Sequence, residues 1–298
     1  MKAKRMAAGT IRAEQLQCMT VWGGNGALQK WLELPALDVW VYNRPAGKQF
    51  GSTACYVSSC ASGRITRLLL VEPCGPESSV HGLSMQLGDL MAANVNQIQQ
   101  RNFVRGMYET FTAAATDMGL ATALVGSFFS PTRRLMYCNA GTPPPLTRAA
   151  GSAQWVSLKG ETASGVAAGN ATPGVVGKDE YQYGTLTLQT DDLVLMYNES
   201  LLEVRLADGR VLGVEGFRDL VQSADVESPE QVLPAIVKRL EDASLHDLNT
   251  MDLTMMLCRC TATRTTWKAN LLAPLRLLGN ANKQLEFAST ASTVASNR

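Results

Sequence analysis

The chain has 298 residues, enough for one large or two small domains with a substantial core. Hydrophobic residues make up 46% and charged residues 18%, and 27 Lys and Arg nearly cancel 26 Asp and Glu. This balance excludes the composition of a disordered chain and a global basic field for nucleic acid, and no apolar run approaches the roughly 18 to 20 residues of a membrane-spanning helix.

Residues 1–20 read as an N-terminal extension. Its basic start is not followed by the apolar core of a signal peptide, so a cytoplasmic location is expected. Gly23-Gly24-Asn25-Gly26 lacks the Lys-Ser/Thr that completes a phosphate-binding loop and reads as a turn before an amphipathic segment. Alternating or continuous apolar patterning predicts strands at 37–43, 53–60 and 64–72. Two stripes with helical spacing follow, Leu83, Leu87, Leu90, Met91, Val95, Ile98 and then Phe103, Met107, Phe111, Ala114, Ala115, Met118, which predict helices over 83–100 and 102–118. Strands are expected at 122–129, 134–139, 184–189, 192–197 and 252–261. The Gly-, Ala- and Thr-rich stretch 159–180 reads as a long surface loop.

Ser228-Pro229-Glu230-Gln231 announces a helix over 228–243, with Ser228 as cap and the proline in the first turn. Its stripe is Val232, Leu233, Ile236, Val237 and Leu240. Strands and helices come in blocks, so residues 21–261 are expected to form one α+β domain with mostly antiparallel sheets. Beyond Thr261 the composition changes. Trp267, Leu271, Leu272, Pro274, Leu275, Leu277 and Leu278 make an amphipathic piece with Lys268 and Arg276, whose apolar side is expected to pack on the parent domain or a partner. The small polar tail from Ala288 reads as disordered.

Seven cysteines without a CxxC spacing point to buried free thiols in a reducing compartment. The two histidines, His81 and His246, leave little room for a zinc site; the first reads as a helix-start residue and the second as a residue stabilised at a helix C-terminus. Asp191-Asp192 and Asp38 read as turn or strand-edge residues, and Arg133-Arg134 as a solvated hairpin turn.

Three segments carry a resemblance: FFSPTRRLMYCNAGTPPPL at 128–146, YQYGTLTLQTDDLVLMYNESLLEVRLADGRVLGVEGF at 181–217, and MDLTMMLCR at 251–259. In this order they resemble the bacterial PPM-type (type 2C, SpoIIE/RsbU-like) serine/threonine phosphatases, whose corresponding patterns are NAGHPPPLL, GDxLLLYTDGLxEARxxDGxxFG and DDxTLLVL. The resemblance implies a four-layer α/β/β/α sandwich of two antiparallel sheets. Helices 83–100 and 102–118 would lie on one outer face, and helices near 215–223 and 228–243 on the other. It also implies two Mg²⁺ or Mn²⁺ ions held by carboxylates, lowering the pKa of a bridging water that attacks a phosphoserine or phosphothreonine.

Carrying the family's ligand positions onto this sequence places Thr53, Pro73, Glu199 and Met251 where four aspartates are expected. Proline and methionine supply no side-chain oxygen and threonine a neutral one, whereas hard divalent cations require charged oxygen donors. The expectation is therefore a pseudophosphatase without a cofactor, acting on a signalling protein or phosphoprotein by binding. The alternative is an active Mg- or Mn-dependent phosphatase rebuilt around Glu72, Glu199 and Asp252.

Overall fold

The computed structural model describes residues 13–16, 20–47, 49–60, 63–74, 87–95, 97, 99–114, 120–162, 181–224, 226, 228–246 and 248–263. In chain order the first strands are β1 (Ala13–Gln15), β2 (Val21–Gly26), β3 (Leu28–Leu34), β4 (Leu37–Arg44), β5 (Phe50–Cys60) and β6 (Ile65–Cys74). Helix α1 (87–94) and helix α2 (Gln100–Ala114) follow. Then come β7 (Leu120–Phe129), β8 (Arg134–Ala140), β9 (Leu146–Arg148), β10 (Val156–Ser157), β11 (Glu161–Thr162), β12 (Gln182–Thr187) and β13 (Leu193–Tyr197). Helices α3 (Gly213–Ser223) and α4 (Pro229–Ala243) precede the last strand, β14 (Leu253–Cys260).

Two seven-stranded sheets result. Sheet A has the order β1-β3-β4-β14-β13-β9-β10 and sheet B the order β11-β12-β8-β7-β6-β5-β2. All their pairings are antiparallel except the edge pair β1–β3, which is parallel.

Period-2 alternation decides which way each strand faces. Val39, Val41, Met256, Cys258 and Val194 of sheet A meet Val57, Leu68, Leu70 and Leu124 of sheet B in a buried inner layer. The alternate positions of sheet A, among them Trp40, Leu195, Met255 and Leu257, pack against Phe217 of α3 and Ile236 of α4. The alternate positions of sheet B, Tyr56, Leu69, Val71 and Val125, pack against Met91 of α1 and Phe103 and Met107 of α2. Helix, sheet, sheet and helix are thus stacked as the α/β/β/α sandwich expected from the sequence. The buried thiols Cys55, Cys60, Cys138, Cys258 and Cys260 form no disulfide, and burial pushes the thiols of Cys55, Cys138 and Cys258 up to about 12.

Several expectations are corrected. The predicted helix 83–100 does not run through: α1 gives way to a turn at Val95, and α2 begins at Gln100. Between them Arg67 Nη2 donates to the Gln97 carbonyl. Gly23-Gly24-Asn25-Gly26 is part of strand β2, with a bulge between Gly24 and Gly26. Gly23 has φ 140°, and a Cβ there would sit 2.0 Å from the Cys55 carbonyl oxygen, so only glycine permits this pairing.

Within the predicted loop 159–180, Glu161–Thr162 pairs with β12 as a short edge strand; residues 163–180 lie outside the described residues. Strands β1, β3, β9 and β10 carried no expectation, because two- and three-residue strands show no periodicity and β3 reads as generally amphipathic. The extension 1–20 contributes β1 to sheet A. His81, Trp267–Leu278 and the tail from Ala288 lie outside the described residues. Among the described residues no helix is long and apolar enough to cross a membrane.

Candidate functional site

At one end of the gap between the sheets, polar residues interrupt the apolar inner layer. Thr53 shares the inward parity of Cys55 and Val57 on β5, and Glu72 that of Leu68 and Leu70 on β6. The two stand one step beyond the Ala54–Val71 pair, on neighbouring strands. From sheet A, Asn198 follows β13 and Asp252 precedes β14. Four segments distant in sequence therefore meet at this end.

Asp252 is 8% exposed, and its carboxylate organises the connection between β4 and β5. The Ala46 N–H donates to Oδ1 at 2.7 Å. The Ser52 N–H and hydroxyl both donate to Oδ2 at 2.6 Å, and the Thr53 N–H donates to the same oxygen at 3.4 Å. Oδ2 thus takes three donors and Oδ1 one, so Oδ2 is saturated while Oδ1 keeps an acceptor site. Gly51 lets the loop come this close, since a Cβ on it would lie 2.7 Å from both carboxylate oxygens.

Asn198 is fully buried and fully engaged. Its Oδ1 accepts from the Thr254 N–H at 2.9 Å. Its Nδ2 donates to the Asp252 carbonyl at 3.0 Å and to the Thr53 hydroxyl at 3.3 Å. The chain of contacts continues outward, because the Thr254 hydroxyl bonds Asn43 Oδ1 at 2.5 Å and Asn43 Nδ2 donates to the Gly26 carbonyl at 2.6 Å. Asn25 Nδ2 donates to the Gly51 carbonyl at 2.9 Å. These bonds join β2, β4, β5, β13 and β14 into one polar seam.

Glu72 faces Asn198–Glu199 across this seam. Burial pushes its carboxyl up to about 7; the Glu199 backbone N–H works against this, and the charges of Glu199, Asp252 and Glu203 add to it. Glu199 begins a 3-10 turn (Glu199–Leu202), and its own carboxyl is raised by burial and by Glu203.

The sequence-derived positions separate into two groups. Thr53 and Glu199 converge with Glu72 and Asp252. Pro73 lies on the opposite face of β6 from Glu72, and Met251 packs among the residues beneath α3 and α4, not in the seam. At both places the neighbour carrying a carboxylate is the one aimed at the gap. A one-residue change of register moves a side chain to the other face of a strand, which is why spacing alone left Pro73 and Glu72 undecided.

The donor chemistry does not fit a pair of hard cations. Asp252 Oδ2 already accepts three donors, Thr53 accepts from Asn198, and burial raises the Glu72 carboxyl to about 7, which weakens it as a charged donor at neutral pH. Among the described residues no group of three or more His, Cys, Asp and Glu is placed to hold a metal ion.

The remaining candidates are structural. Asp192 accepts from the Ala150 and Gln189 N–H groups at 2.8 and 2.7 Å, and Asp191 adopts φ 69° in the turn. Arg133 takes φ 51° at the β7–β8 turn. Asp38, expected at a strand edge, is instead buried within β4 and accepts from Arg259 at 2.6 Å; burial nonetheless raises its carboxyl, with Arg259 opposing. His246 is exposed beyond the end of α4, with its backbone held by Ser244. Sequence reasoning missed Asn43, Ser52 and Thr254. The signal was present for two of them, since Asn43 and Thr254 are polar residues on the inward parity of otherwise apolar strands.

The two facing sheets with helices outside are those of the PP2C phosphatase fold. The RsbU and RsbW domains of Rv1364c from Mycobacterium tuberculosis superpose with a TM-score of 0.61 at 19% identity, over 77% of this chain and 61% of that one. The PP2C phosphatase domain and regulatory-domain fragment of the cell fate determinant SpoIIE from Bacillus subtilis superpose with a TM-score of 0.61 at 11% identity, over 76% and 64%. The SiaA-PP2C domain of Pseudomonas aeruginosa gives 0.60 at 13% identity, over 74% and 85%. The chain spans less than two thirds of the length of the first two. No curated protein matches it in sequence.

The family model for Stage II sporulation protein E (SpoIIE) matches residues 79–261, more than half of the chain. This protein belongs to the SpoIIE family of PPM-type phosphatases. Glu199 and Asp252 lie within the matched range, whereas Thr53 and Glu72 precede it.

Proposed function

We propose that this SpoIIE-family chain is a pseudophosphatase: a PPM scaffold that serves bacterial phospho-signalling by binding a signalling protein or phosphoprotein, without metal-dependent hydrolysis. The observation that carries this reading is the Asp252 carboxylate, whose Oδ2 accepts three donors from Ser52 and Thr53 of β5 and whose Oδ1 accepts the Ala46 N–H. A cation on Oδ2 would have to compete with these bonds. Pro73 and Met251 add no oxygen donor, and Thr53 adds a neutral one. A signalling role is supported by the company such domains keep: the Mycobacterium tuberculosis protein combines RsbU and RsbW domains, and SpoIIE of Bacillus subtilis is a cell fate determinant.

One observation favours the second reading, an active Mg- or Mn-dependent phosphoserine/phosphothreonine phosphatase using Glu72, Glu199 and Asp252. These carboxylates crowd together closely enough to help raise Glu72, and bound dications would relieve that repulsion. The test is hydrolysis of p-nitrophenyl phosphate and of a phosphopeptide in Mn²⁺, with Glu199→Ala as control, together with calorimetric titration of Mn²⁺. No turnover above the control and no binding isotherm are expected. Turnover lost in Glu199→Ala, with a micromolar two-site isotherm, would establish the second reading instead.

A further inference from the structure

Outside the two large sheets, three segments join in a small antiparallel sheet. Arg205 pairs with Val211, and Leu206 with Ser244 just beyond α4. Around the first pair the Leu206 N–H donates to the Arg210 carbonyl at 2.8 Å and the Leu212 N–H to the Val204 carbonyl at 2.9 Å. Around the second the Ala207 N–H donates to the Ala243 carbonyl at 3.1 Å and the Leu245 N–H to the Arg205 carbonyl at 2.8 Å. Arg205 therefore stands between Val211 on one side and Leu245 on the other. Opposed residues of an antiparallel pair point the same way, so these three form one row across one face. The alternate residues Val204, Leu206 and Leu212 turn the other way and pack into the core under α3 and α4.

The row faces solvent. Val211 and Leu245 are 52% and 51% exposed, and Arg205 is exposed between them. The other exposed large apolar side chains among the described residues, Phe50 and Val156, belong to β5 and β10. Glu203, two residues before Arg205 and within about 7 Å of it along the chain, is exposed as well. Nearby Arg210 is closed by Asp208 at 2.7 Å. Arg205 and Glu203 have no such ion pair among the described residues, either with each other or with a third side chain. One unmatched cation, one unmatched anion and two apolar side chains thus stand together.

A surface that fits them must set an acid against Arg205, a base against Glu203 and apolar groups against Val211 and Leu245. An anionic partner would match Arg205 and repel Glu203, and a cationic one the reverse. A second copy turned by a two-fold axis meets both charges, because its Glu203 falls on Arg205 and its Arg205 on Glu203. The apolar side chains beside Arg205 then close around the pairs. We infer that the face of Arg205, Val211 and Leu245 is a self-complementary interface through which two copies of the chain associate. Four side chains a copy fall short of the roughly 20 residues per side of a standard interface, so the dimer belongs to the weak, transient class. Glu203 lies near enough to raise the Glu199 and Glu72 carboxyls, so the interface borders the polar seam. The inference stands whether or not the seam binds metal.

The test is sedimentation velocity of the full chain from about 10 µM to about 1 mM, at low and at high salt. The sedimentation coefficient should climb from the monomer toward the dimer value, with weaker association at high salt. Arg205→Glu and Glu203→Arg each set like charges against one another and should raise the dimer dissociation constant about tenfold or more. The exchange of both, Glu203→Arg with Arg205→Glu, restores opposite charges and should return it to within about threefold of the starting value. Leu245→Ser keeps both charges and should weaken association about tenfold. These positions are exposed, so urea midpoints should stay unchanged and separate lost association from lost folding. A chain that stays monomeric at every concentration overturns the inference. So does a dimer that the single variants leave intact, or one that the charge exchange fails to restore.

Discussion

At the Asp252 end of the gap, a buried anion is surrounded by backbone and hydroxyl donors from Ala46 and the start of β5. On the helix side of sheet B, Arg67 is a fully buried cation held by neutral groups. Its Nη1 donates to Gln100 Oε1 at 3.1 Å and to the Ser127 hydroxyl, its Nη2 donates to the Gln97 carbonyl, and its guanidinium lies 4.5 Å from the Phe103 ring centroid. Both regions stabilise charge with oriented dipoles rather than with an opposite charge alone. They differ in what the dipoles hold in place. Arg67 ties the α1–α2 turn to the central strand β6, a packing task. Asp252 ties Ala46 of the β4–β5 connection and the start of β5 to the start of β14, a task that engages its carboxylate oxygens.

The largest expected effect breaks the Arg67 side. Arg67→Met removes the cation and deprives the buried Gln100 Oε1 and Ser127 hydroxyl of its donors, although Ser127 still donates to Gln100. The cost should be about 3–5 kcal/mol and about 10 °C in melting temperature, read by urea and thermal unfolding. Next, Asp252→Ala strips four donors of one acceptor and should cost about 2–4 kcal/mol. The informative feature is that this loss should be the same in Mn²⁺ and in EDTA. A variant that unfolds normally in EDTA but has lost an Mn²⁺-dependent gain in stability would mark Asp252 as a ligand instead of a loop anchor.

Glu72 sharpens the comparison through pH. Its folded carboxyl titrates near 7 against 4.5 in the unfolded chain. The folded state therefore holds more protons between these values, and stability falls as pH rises through that window. Glu72→Gln removes this deficit. It should stabilise the protein by about 1–3 kcal/mol at pH 8, with the difference closing by pH 4, measured as urea midpoints across pH. The smallest effect is expected where opposite charges do meet, but in water. Arg44 and Glu241 pair at 2.9 Å with Glu241 half exposed, and Glu241→Ala should cost about 0.5 kcal/mol or less. If this exposed pair outweighed Arg67 or Asp252, burial would not be the quantity that sets these energies.

Much of this architecture was legible because burial imprints a period on the chain. The alternation in β4, β13 and β14 and the stripe Val232, Leu233, Ile236 and Leu240 of α4 are local patterns, and each appears as read. The helix break at Val95 was not legible, since the apolar stripe continues through Val95 and Ile98. A charged residue inside ITRLLLV, Arg67, was by contrast a visible anomaly. The GGNG stretch misled because glycine marks both a turn and a close strand approach, and only the position of the Cys55 carbonyl distinguishes them.

By itself the sequence carried the strand and helix blocks and, through the order of its motifs, the resemblance to a family that implied the sandwich, because apolar periodicity and motifs are properties of single segments. The tertiary structure alone decided that Glu72 and Asp252, and not Pro73 and Met251, face the gap, and that the Asp252 oxygens belong to Ala46, Ser52 and Thr53. Which face a strand-end residue takes, and which donors reach it from two hundred residues away, depends on register and loop closure, and neither leaves a local trace in the order of amino acids.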